Sequence, residues 1–356
     1  MFLRFQLPEL EGAPEQGKWV RLRAEGTTCA NGEPYHACFK LGDKEKLMIV
    51  LYGGGVSVDE YTAAHPNSII KTGQPSFYCE DIFLTADLGR VYGIASDDAG
   101  NPFRDWSVLL MPYGTGDFHC GANDFAFQDE QGETHIVCHR GYTNLCAIVN
   151  AMKEYLPSPA KLLVTGFSAG AFGTALLTDA IMDLFPTCAD VTCCVDSACL
   201  FYQNWGKVAR EIWGAPREIA ERLTTEDITG DSLIALHKKR ENVKIGFGCS
   251  VRDEALAMFQ NYFDKGRMQH EEGCGDVFEN NLRAMLRRLV REIPNLSLYL
   301  HDLPLQGENP HRLTAHCIIV GAPVFTYKRE GETVAAWLYA LTEGRMHKIG
   351  EGFLEG

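Results

Sequence analysis

The amino-acid sequence predicts an α/β protein with a mostly parallel central sheet flanked by helices, and two observations lead to this prediction. Short apolar runs alternate with longer stretches in which apolar residues recur at helical spacing, as in strand–helix units. Each run is nearly continuous in apolar or β-branched residues, which is typical of strands covered on both faces. The predicted strands are 47–51, 106–111, 162–165, 191–195, 243–247 and 296–300, and the predicted helices are 142–155, 170–185, 254–263, 280–292 and 332–341.

The helix predicted at 280–292 shows its pattern most clearly. Leu282, Met285, Leu286 and Leu289 recur at helical spacing, with arginines on the opposite side. The helix at 332–341 would cover one face of the sheet. No repeat or linker divides the chain, so we expect one domain over 1–356, with a helical insertion at about 201–240 where the alternation breaks.

Composition and charge narrow the class of protein. Of the 356 residues, 46% are apolar and 22% are charged, which excludes disordered and coiled-coil chains. The formal net charge of −14 argues against a nucleic-acid partner, because such a partner needs a basic face to neutralise its phosphates. No run reaches the roughly 18 apolar residues that a membrane span needs.

The cysteines and the N-terminus predict a cytoplasmic protein. Residues 1–9 lack a basic start followed by an apolar core, so we expect no signal peptide, with a secreted mature form as the alternative. The thirteen cysteines are then expected to be mostly reduced and buried. His119-Cys120 and Cys138-His139 do not have zinc-site spacing, so we expect no metal, and no cofactor is required.

A strand followed by a glycine-flanked serine is the most informative motif. Residues 161–173 contain an apolar strand, then G-F-S-A-G at 166–170, then small residues that open a helix. Such a turn has strained backbone, and glycines two residues before and after the serine leave room for it. The sequence therefore predicts Ser168 as a nucleophile in an α/β-hydrolase-like fold. The alternative is an ordinary turn in which Ser168 caps the helix.

A glycine-rich loop follows the first strong strand. Three glycines, 53–55, come directly after strand 47–51, where esterases place a loop that donates backbone N–H groups to the oxyanion. We expect the amides of Gly55 and Val56 to form the oxyanion hole together with the Ala169 amide. No lysine follows at P-loop spacing and no G-x-G-x-x-G is present, which argues against a nucleotide site.

The acid and the base are expected on loops after later strands, in the order serine, acid, histidine. Asp253 follows a predicted strand and precedes a helix, where it could also serve as the N-cap, and Asp196 is the competing acid. His301, His311 and His316 follow the last predicted strand. We expect His316 to be the base because it opens an apolar segment that would anchor it. His301 and His311 are expected to be solvent-facing or structural.

Together these motifs resemble those of the pectin acetylesterase (Notum) family, most closely its bacterial members. The resemblance implies an α/β-hydrolase-like serine esterase that cleaves carboxylic esters with Ser168, Asp253 and His316, and it favours Asp253 over Asp196 as the acid. Where the family continues Gly-Gly-Gly-Trp-Cys, this chain has Val56 and Ser57, which removes an aromatic wall beside the acyl site and half of a disulfide. The matching segments are 51–55, 111–119, 140–144, 166–170, 196–197 and 253–255.

The sequence thus predicts a serine carboxylesterase that removes a short acyl group, such as O-acetyl, from a carbohydrate or a related small ester. A lipid or long-acyl deacylase or an amidase on the same triad, and a catalytically silent binding protein of the same fold, stay open as alternatives. The partner is expected to be a small-molecule or oligosaccharide ester. Candidate pocket residues are Gly54, Asp117, His119 and Asp196, and four aromatic residues of the insertion are expected in its core or, alternatively, in a lid or acyl pocket: Phe201, Tyr202, Trp205 and Trp213.

Overall fold

The computed structural model describes residues 7–67, 75–83, 86, 90, 93–129 and 131–355. Over these residues the chain forms a nine-stranded central sheet flanked by helices, with two short antiparallel strand pairs outside it. The strands are β1 (Trp19–Leu22), β2 (Ala37–Lys40), β3 (Asp43–Leu51), β4 (Trp106–Met111), β5 (Asn123–Gln128), β6 (Thr134–His139), β7 (Lys161–Phe167), β8 (Asp190–Asp196), β9 (Lys244–Ser250), β10 (Ser297–His301), β11 (Lys328–Arg329), β12 (Glu332–Thr333) and β13 (Lys348–Ile349).

The helices follow the strands in the alternation that the sequence predicts. They are α1 (Glu60–Ala63), α2 (Gly141–Met152), α3 (Ala169–Leu184), α4 (Trp205–Lys207), α5 (Arg217–Glu221), α6 (Ile228–Lys239), α7 (Glu254–Lys265), α8 (Cys274–Glu292), α9 (Pro323–Thr326) and α10 (Val334–Thr342). Single turns of 3₁₀-helix lie at Gly93–Ala95 and Glu351–Leu354, and a π-helical turn lies at Val208–Ile212.

The sheet has the order β1-β2-β4-β3-β7-β8-β9-β10-β13. All neighbours from β4 to β13 are parallel, and only β1 and β2 add an antiparallel edge. The predicted α/β class with a mostly parallel sheet is therefore confirmed. The central strands are buried along almost their whole length, as parallel strands covered on both faces must be.

The carboxyl ends of the central strands meet at one edge of the sheet. In the parallel register Leu51 pairs with Gly166, Phe167 with Asp196, and Asp196 with Gly248. The loops that leave β3, β7, β8 and β9 therefore start side by side. This edge is where ligands bind in open α/β sheets.

The insertion packs as a helical layer on α3. The first eleven residues of α3, 169–179, are all buried, so this helix is covered on every side. Arg222, Lys239 and Arg240 all bind the carboxylate of Asp179, near the end of α3. These ion pairs fix α5 and α6 against the helix that follows the serine.

Several element boundaries differ from the predicted ones. Helix α8 begins at Cys274, before the predicted start at 280, because Gly273 provides a left-handed N-cap. Helix α10 begins at Val334 because Thr333 caps it and pairs with Lys328 in a short hairpin. The edge strands β1 and β2 and the β5–β6 hairpin were not predicted.

Two further observations concern the cysteines and the helices. All thirteen cysteines lie within the described residues, and none of them forms a disulfide there. Within the same residues no helix combines the length and the apolar character needed to cross a membrane.

Candidate active site

Ser168 lies on the sharp turn between β7 and α3, with a left-handed backbone conformation (φ 53°, ψ −129°). Its hydroxyl does not cap α3, so the capping alternative does not describe this serine. The two flanking glycines are required by close packing. A Cβ on Gly170 would overlap the Leu51 carbonyl, and one on Gly166 would lie 2.7 Å from the same oxygen. Only glycine therefore allows β7 and α3 to approach β3 this closely.

The predicted acid and base are in direct contact. His316 Nδ1 lies 2.8 Å from each carboxylate oxygen of Asp253, whose side chain is fully buried. Asp253 is also the N-cap of α7, because its Oδ1 accepts a hydrogen bond from Leu256 N at 3.0 Å. Both roles that the sequence allowed for Asp253 are thus present in one carboxylate.

The charge of Asp253 sets the titration of His316. Burial lowers the pKa of His316, but the adjacent Asp253 carboxylate and the Cys317 side chain raise it, and the net pKa lies well above the ordinary value. With Nδ1–H donating to Asp253, the neutral imidazole leaves Nε2 free to accept a proton. Among the described residues no hydrogen bond joins Ser168 Oγ to His316, a contact that in catalytic sites often tightens only with substrate bound.

The oxyanion loop differs from the prediction at Val56. The Val56 N–H donates to the Phe77 carbonyl at 2.8 Å, so it cannot serve an oxyanion, and the prediction for this amide is wrong. In the described chain the amides of Gly55 and Ala169 have no backbone acceptor and remain candidates. A Cβ on Gly53 would lie 2.5 Å from the Cβ of Ser168, which places the loop directly against the serine.

Of the four predicted pocket residues, three have side chains that are hydrogen-bonded within the protein. The fourth, Gly54, is packed against Tyr113. A Cβ on Gly54 would lie 2.6 Å from the Tyr113 ring. Asp117 is fully buried and accepts from the Thr115 hydroxyl at 2.6 Å and from three backbone amides, those of His119, Gly121 and Gly141. Burial raises the pKa of Asp117 to about 6. This carboxylate organises its loop and has no exposed surface, which contradicts its predicted place in a substrate pocket.

His119 supports the oxyanion loop from below. Its Nε2–H donates to the Tyr52 carbonyl at 2.8 Å, one residue before the glycines, and burial lowers its pKa to about 4. The neutral ring is a fixed donor and is only 2% exposed, which also contradicts its predicted place in a substrate pocket. His139 is equally buried, with Nδ1–H donating to Thr115 O.

Among the described residues Asp196, the competing acid, forms no hydrogen bond with the base ring, which is bonded to Asp253. Asp196 Oδ2 accepts from Ile318 N at 2.8 Å and from Ile319 N at 2.9 Å, so it binds the backbone just after His316. Burial raises the pKa of Asp196 to about 6. Asp253 therefore binds the His316 ring, whereas Asp196 binds the backbone of the segment that carries His316.

The other sequence candidates have structural positions. His301 is fully buried at the end of β10, and the carbonyl of half-buried His311 accepts from Arg252. Trp205 and Trp213 are fully buried and pack with Phe118, which stacks on Phe172 of α3 at 4.4 Å. Trp205 and Trp213 are therefore core residues of the insertion. Phe201 and Tyr202 are half-buried and pack against this core.

Among the described residues one group could bring three metal-ligating atoms together. Asp129, Glu133 and His135 hold such atoms within 4.8 Å of one another, on the exposed β5–β6 hairpin. The His135 ring is already bonded to Asp129 at 2.6 Å. The hairpin turn explains this cluster without an ion.

Comparison with protein families decides the class of this site. A family model described as pectinacetylesterase matches residues 19–212, more than half of the 356-residue chain and including the glycine loop and Ser168. The chain belongs to the pectinacetylesterase family. It is therefore a serine carboxylic ester hydrolase. A search of curated proteins gave no match.

The fold of this pectinacetylesterase-family chain is similar to a crystal structure of the Wnt deacylase Notum from Drosophila. The TM-score is 0.59, with 16% identity over 91% of this chain and 92% of the Notum chain. At this identity the likeness concerns the fold, and the predicted α/β-hydrolase-like architecture is confirmed. Asp253 and His316 lie outside the segment matched by the family model.

Sequence reasoning missed how this pectinacetylesterase-family chain holds the segment before His316. Thr314 pairs with the acid loop, since Glu254 N donates to Thr314 O and Thr314 N to Arg252 O. The Arg252 side chain donates to the carbonyls of His311 and Arg312 and binds Glu279 of α8 at 2.9 Å. No sequence motif could have indicated these contacts, because they join segments about sixty residues apart.

Left-handed backbone is concentrated in the segments that carry or adjoin the candidate site residues. Within the described chain seven non-glycine residues have positive φ, and six of them lie in the loops discussed above. Such conformations are costly for residues with a side chain and persist where the surroundings enforce them. The six are Phe118, His119, Ser168, Ser197, Arg312 and Cys317, with φ between 51° and 65°.

Proposed function

We propose that this protein is a serine esterase that removes a short acyl group, O-acetyl in the first place, from a carbohydrate or a related small ester. The observation that carries the proposal is the contact of His316 Nδ1 with both oxygens of buried Asp253, on the sheet edge that presents Ser168. A neutral imidazole held by a buried carboxylate is the base that a serine nucleophile needs.

The reaction would proceed in two steps. Ser168 Oγ attacks the ester carbonyl while His316 Nε2 takes its proton, and the imidazolium then gives that proton to the departing alcohol, leaving an acyl-serine. Water, deprotonated by His316, attacks the acyl-serine; the acyl–Oγ bond then breaks while the imidazolium returns its proton to Ser168 Oγ, and the carboxylic acid leaves. The amides of Gly55 and Ala169 would stabilise the oxyanion in both steps, aided by the positive end of α3.

The preference for a short acyl group is supported by the packing around α3. Phe118, Phe172, Trp205 and Trp213 fill the space beside the start of this helix with at most 1% of their surface exposed. Val56 stands where the family pattern has a tryptophan and is itself buried. These aromatic rings therefore offer no open wall for a long chain.

A lipid or long-acyl deacylase on the same triad is the second candidate, because the solved structure of similar fold is described as a deacylase and that description leaves the length of the acyl group open. The two candidates differ in what the site must hold during the transition state. A series of p-nitrophenyl esters of acetate, butyrate and octanoate separates them, since kcat/KM follows the acyl group that the pocket accommodates. An octanoate preference would overturn the short-acyl proposal.

The nucleophile is tested with Ser168→Ala on the same esters and on an acetylated galacturonan, with acetate release as the readout. We expect kcat to fall by several orders of magnitude, on the order of 10⁶ where a triad serine is removed. Ser158→Ala, at an exposed serine, is the matched control and should retain full activity. Equal slow turnover by wild type and Ser168→Ala would reject the mechanism and favour a silent binding protein.

A further inference from the structure

The dipeptide at the end of β8 contacts the three residues that follow the base. Ser197 Oγ accepts from Cys317 N at 3.2 Å, and Asp196 Oδ2 accepts from Ile318 N and Ile319 N at 2.8 and 2.9 Å. We call Asp196 and Ser197 the loop anchor. Three consecutive backbone amides thus converge on two side chains from a distant strand.

The same dipeptide is also bonded to the nucleophile turn. Ser168 N donates to the Asp196 carbonyl at 3.0 Å, and Ser197 N donates to the Gly248 carbonyl of β9 at 2.9 Å. The loop anchor therefore connects the backbone of the serine turn with the backbone that leaves His316. A shift of Asp196 would change the distance between nucleophile and base.

The backbone on both sides of this contact is held in an unfavourable conformation. Ser197 has φ 65°, and Cys317, directly after His316, has φ 59°. A left-handed residue at Cys317 turns the following amides into a concave group that binds an anion, in the manner of a backbone nest. The anion here is the side chain of Asp196, which is 1% exposed.

Such an arrangement has a cost that stability alone does not explain. A carboxylate buried away from any arginine or lysine loses its hydration, and here burial raises its pKa to about 6. Its Oδ2 is compensated by two backbone amides, both in the segment that carries the base. A feature that is expensive for the fold and directed at the active site points to a role in the reaction.

We infer that Asp196 and Ser197 are positioning residues that hold His316 at the proton-transfer distance from Ser168. This inference rests on the proposed Ser168–His316–Asp253 mechanism and assigns the loop anchor no contact with substrate. Misplacing a catalytic group by about 1 Å can lower a rate on the order of 10²-fold. Substrate binding does not use His316 as a proton acceptor, so KM should be little affected.

The experiment compares Asp196→Ala, Asp196→Asn and Ser197→Ala with wild type, using p-nitrophenyl acetate. Asn keeps an oxygen that accepts the Ile318 and Ile319 amides, whereas Ala removes it. We expect kcat of Asp196→Ala to fall about 100-fold with KM within about twofold, and Asp196→Asn to recover most of that loss. Ser197→Ala, which loses one acceptor of the three contacts, should lose about tenfold.

The matched control is Ser250→Ala. Ser250 is a fully buried hydroxyl at the end of the neighbouring strand β9, and its Oγ has no partner among the described residues. Its removal disturbs packing at the same sheet edge without touching the loop after His316, so kcat should stay within twofold. If Asp196→Ala does not fold, as judged by its thermal transition, Asp196→Asn and Ser197→Ala decide the matter. Folded anchor variants with kcat within twofold of wild type, or with kcat lowered no more than in Ser250→Ala, would overturn the inference.

A substrate-independent readout separates this inference from the proposed function. A fluorophosphonate probe reacts with the serine of an assembled triad, so its rate of reaction with Ser168 reports the position of His316 whatever the natural ester is. We expect the rate to fall in Asp196→Ala and to recover in Asp196→Asn. Wild type that reacts with the probe but releases no acetate would reject the acetylesterase proposal and leave the loop anchor intact, whereas an unchanged rate in the anchor variants would reject the anchor alone.

Discussion

Two loops approach Ser168 from opposite sides, and they are held in different ways. The oxyanion loop, 53–57, is fixed by close contacts between uncharged groups: Gly53 lies against Ser168, and the neutral His119 ring donates to Tyr52 O. The segment 311–319 is fixed by charged side chains, with Arg252 before His316 and the Asp196 and Asp253 carboxylates at and after it.

This difference predicts which kind of substitution should lower activity on each side of the site. Close packing of uncharged backbone responds to volume, because interiors resist even one added methyl group. A segment held by carboxylates responds to ionisation and to loss of charge. The oxyanion loop should therefore be sensitive to size and the base segment to charge and pH.

The largest effect is expected for Asp253→Asn. The amide cannot hold the tautomer in which His316 Nε2 accepts a proton, and in a well-studied triad this change lowers kcat on the order of 10⁴-fold. The measurement is kcat on p-nitrophenyl acetate. Asp302→Asn, at a half-exposed acid after β10, is the control and should retain activity. A loss of less than tenfold in Asp253→Asn would show that this acid does not orient the base.

Gly53→Ala should have the next largest effect, because the comparison makes this loop sensitive to volume. The added methyl group would lie 2.5 Å from Ser168 Cβ and 2.8 Å from Phe167 O, so the serine or the loop must move. We expect kcat/KM to fall on the order of 10²-fold. Gly352→Ala, where nothing lies within 4 Å of the added atom, is the matched control. Wild-type activity in Gly53→Ala would show that the two elements do not need this contact.

The pH dependence tests the charged side. Burial lowers the pKa of His316, but Asp253 and Cys317 raise it by more than burial lowers it, so the net pKa lies above the ordinary value. The base must be neutral, and activity is therefore lost as pH falls through this raised pKa. We expect the acidic limb of kcat/KM to have its midpoint above the ordinary histidine value of about 6.5, with roughly a tenfold loss per pH unit below it. A midpoint below about 6 would contradict this assignment.

The smallest effect is expected at the support of the oxyanion loop. His119→Phe keeps an aromatic ring but removes the donor to Tyr52 O, and a buried unsatisfied carbonyl costs about 1–3 kcal/mol. Denaturant unfolding should show this loss of stability, with kcat reduced only severalfold. His135→Phe, at an exposed histidine of the β5–β6 hairpin, should change stability by no more than about 0.5 kcal/mol. Equal stability of wild type and His119→Phe would show that the hydrogen bond is not needed.

The sequence was sufficient for the elements that repeat a simple pattern. The six predicted strands are the core of the sheet, because long apolar runs can be buried only there. The four-residue strands β1 and β2 escaped prediction, since their pairing depends on β4 and not on a local pattern. Helix starts also shifted where a single cap, such as Thr333, decides the first turn.

The site was predictable where its residues follow a strand, and less so where long-range hydrogen bonds decide. Ser168 stands out because its glycine-flanked turn comes between an apolar strand and the small residues that open a helix. The Val56 amide looked equivalent to that of Gly55, and only its pairing with Phe77 distinguishes the two. In the sequence Asp196 looked like a second acid, because it ends a strand next to the nucleophile. Its actual partners, the amides of Ile318 and Ile319, lie more than 120 residues away and leave no local pattern.

The six left-handed residues in the segments of the candidate site link thermal stability to turnover. Each non-glycine residue in this conformation costs on the order of 1 kcal/mol, while a whole domain is stable by about 5–15 kcal/mol. Laboratory evolution for a higher melting temperature alone should therefore find its gains in this region, for example with Cys317→Gly, which relieves the conformation at φ 59°. The same replacement would loosen the turn after His316. Variants enriched for thermal survival should then be slower esterases. The gain in melting temperature would measure how much stability the chain gives up to keep its turnover.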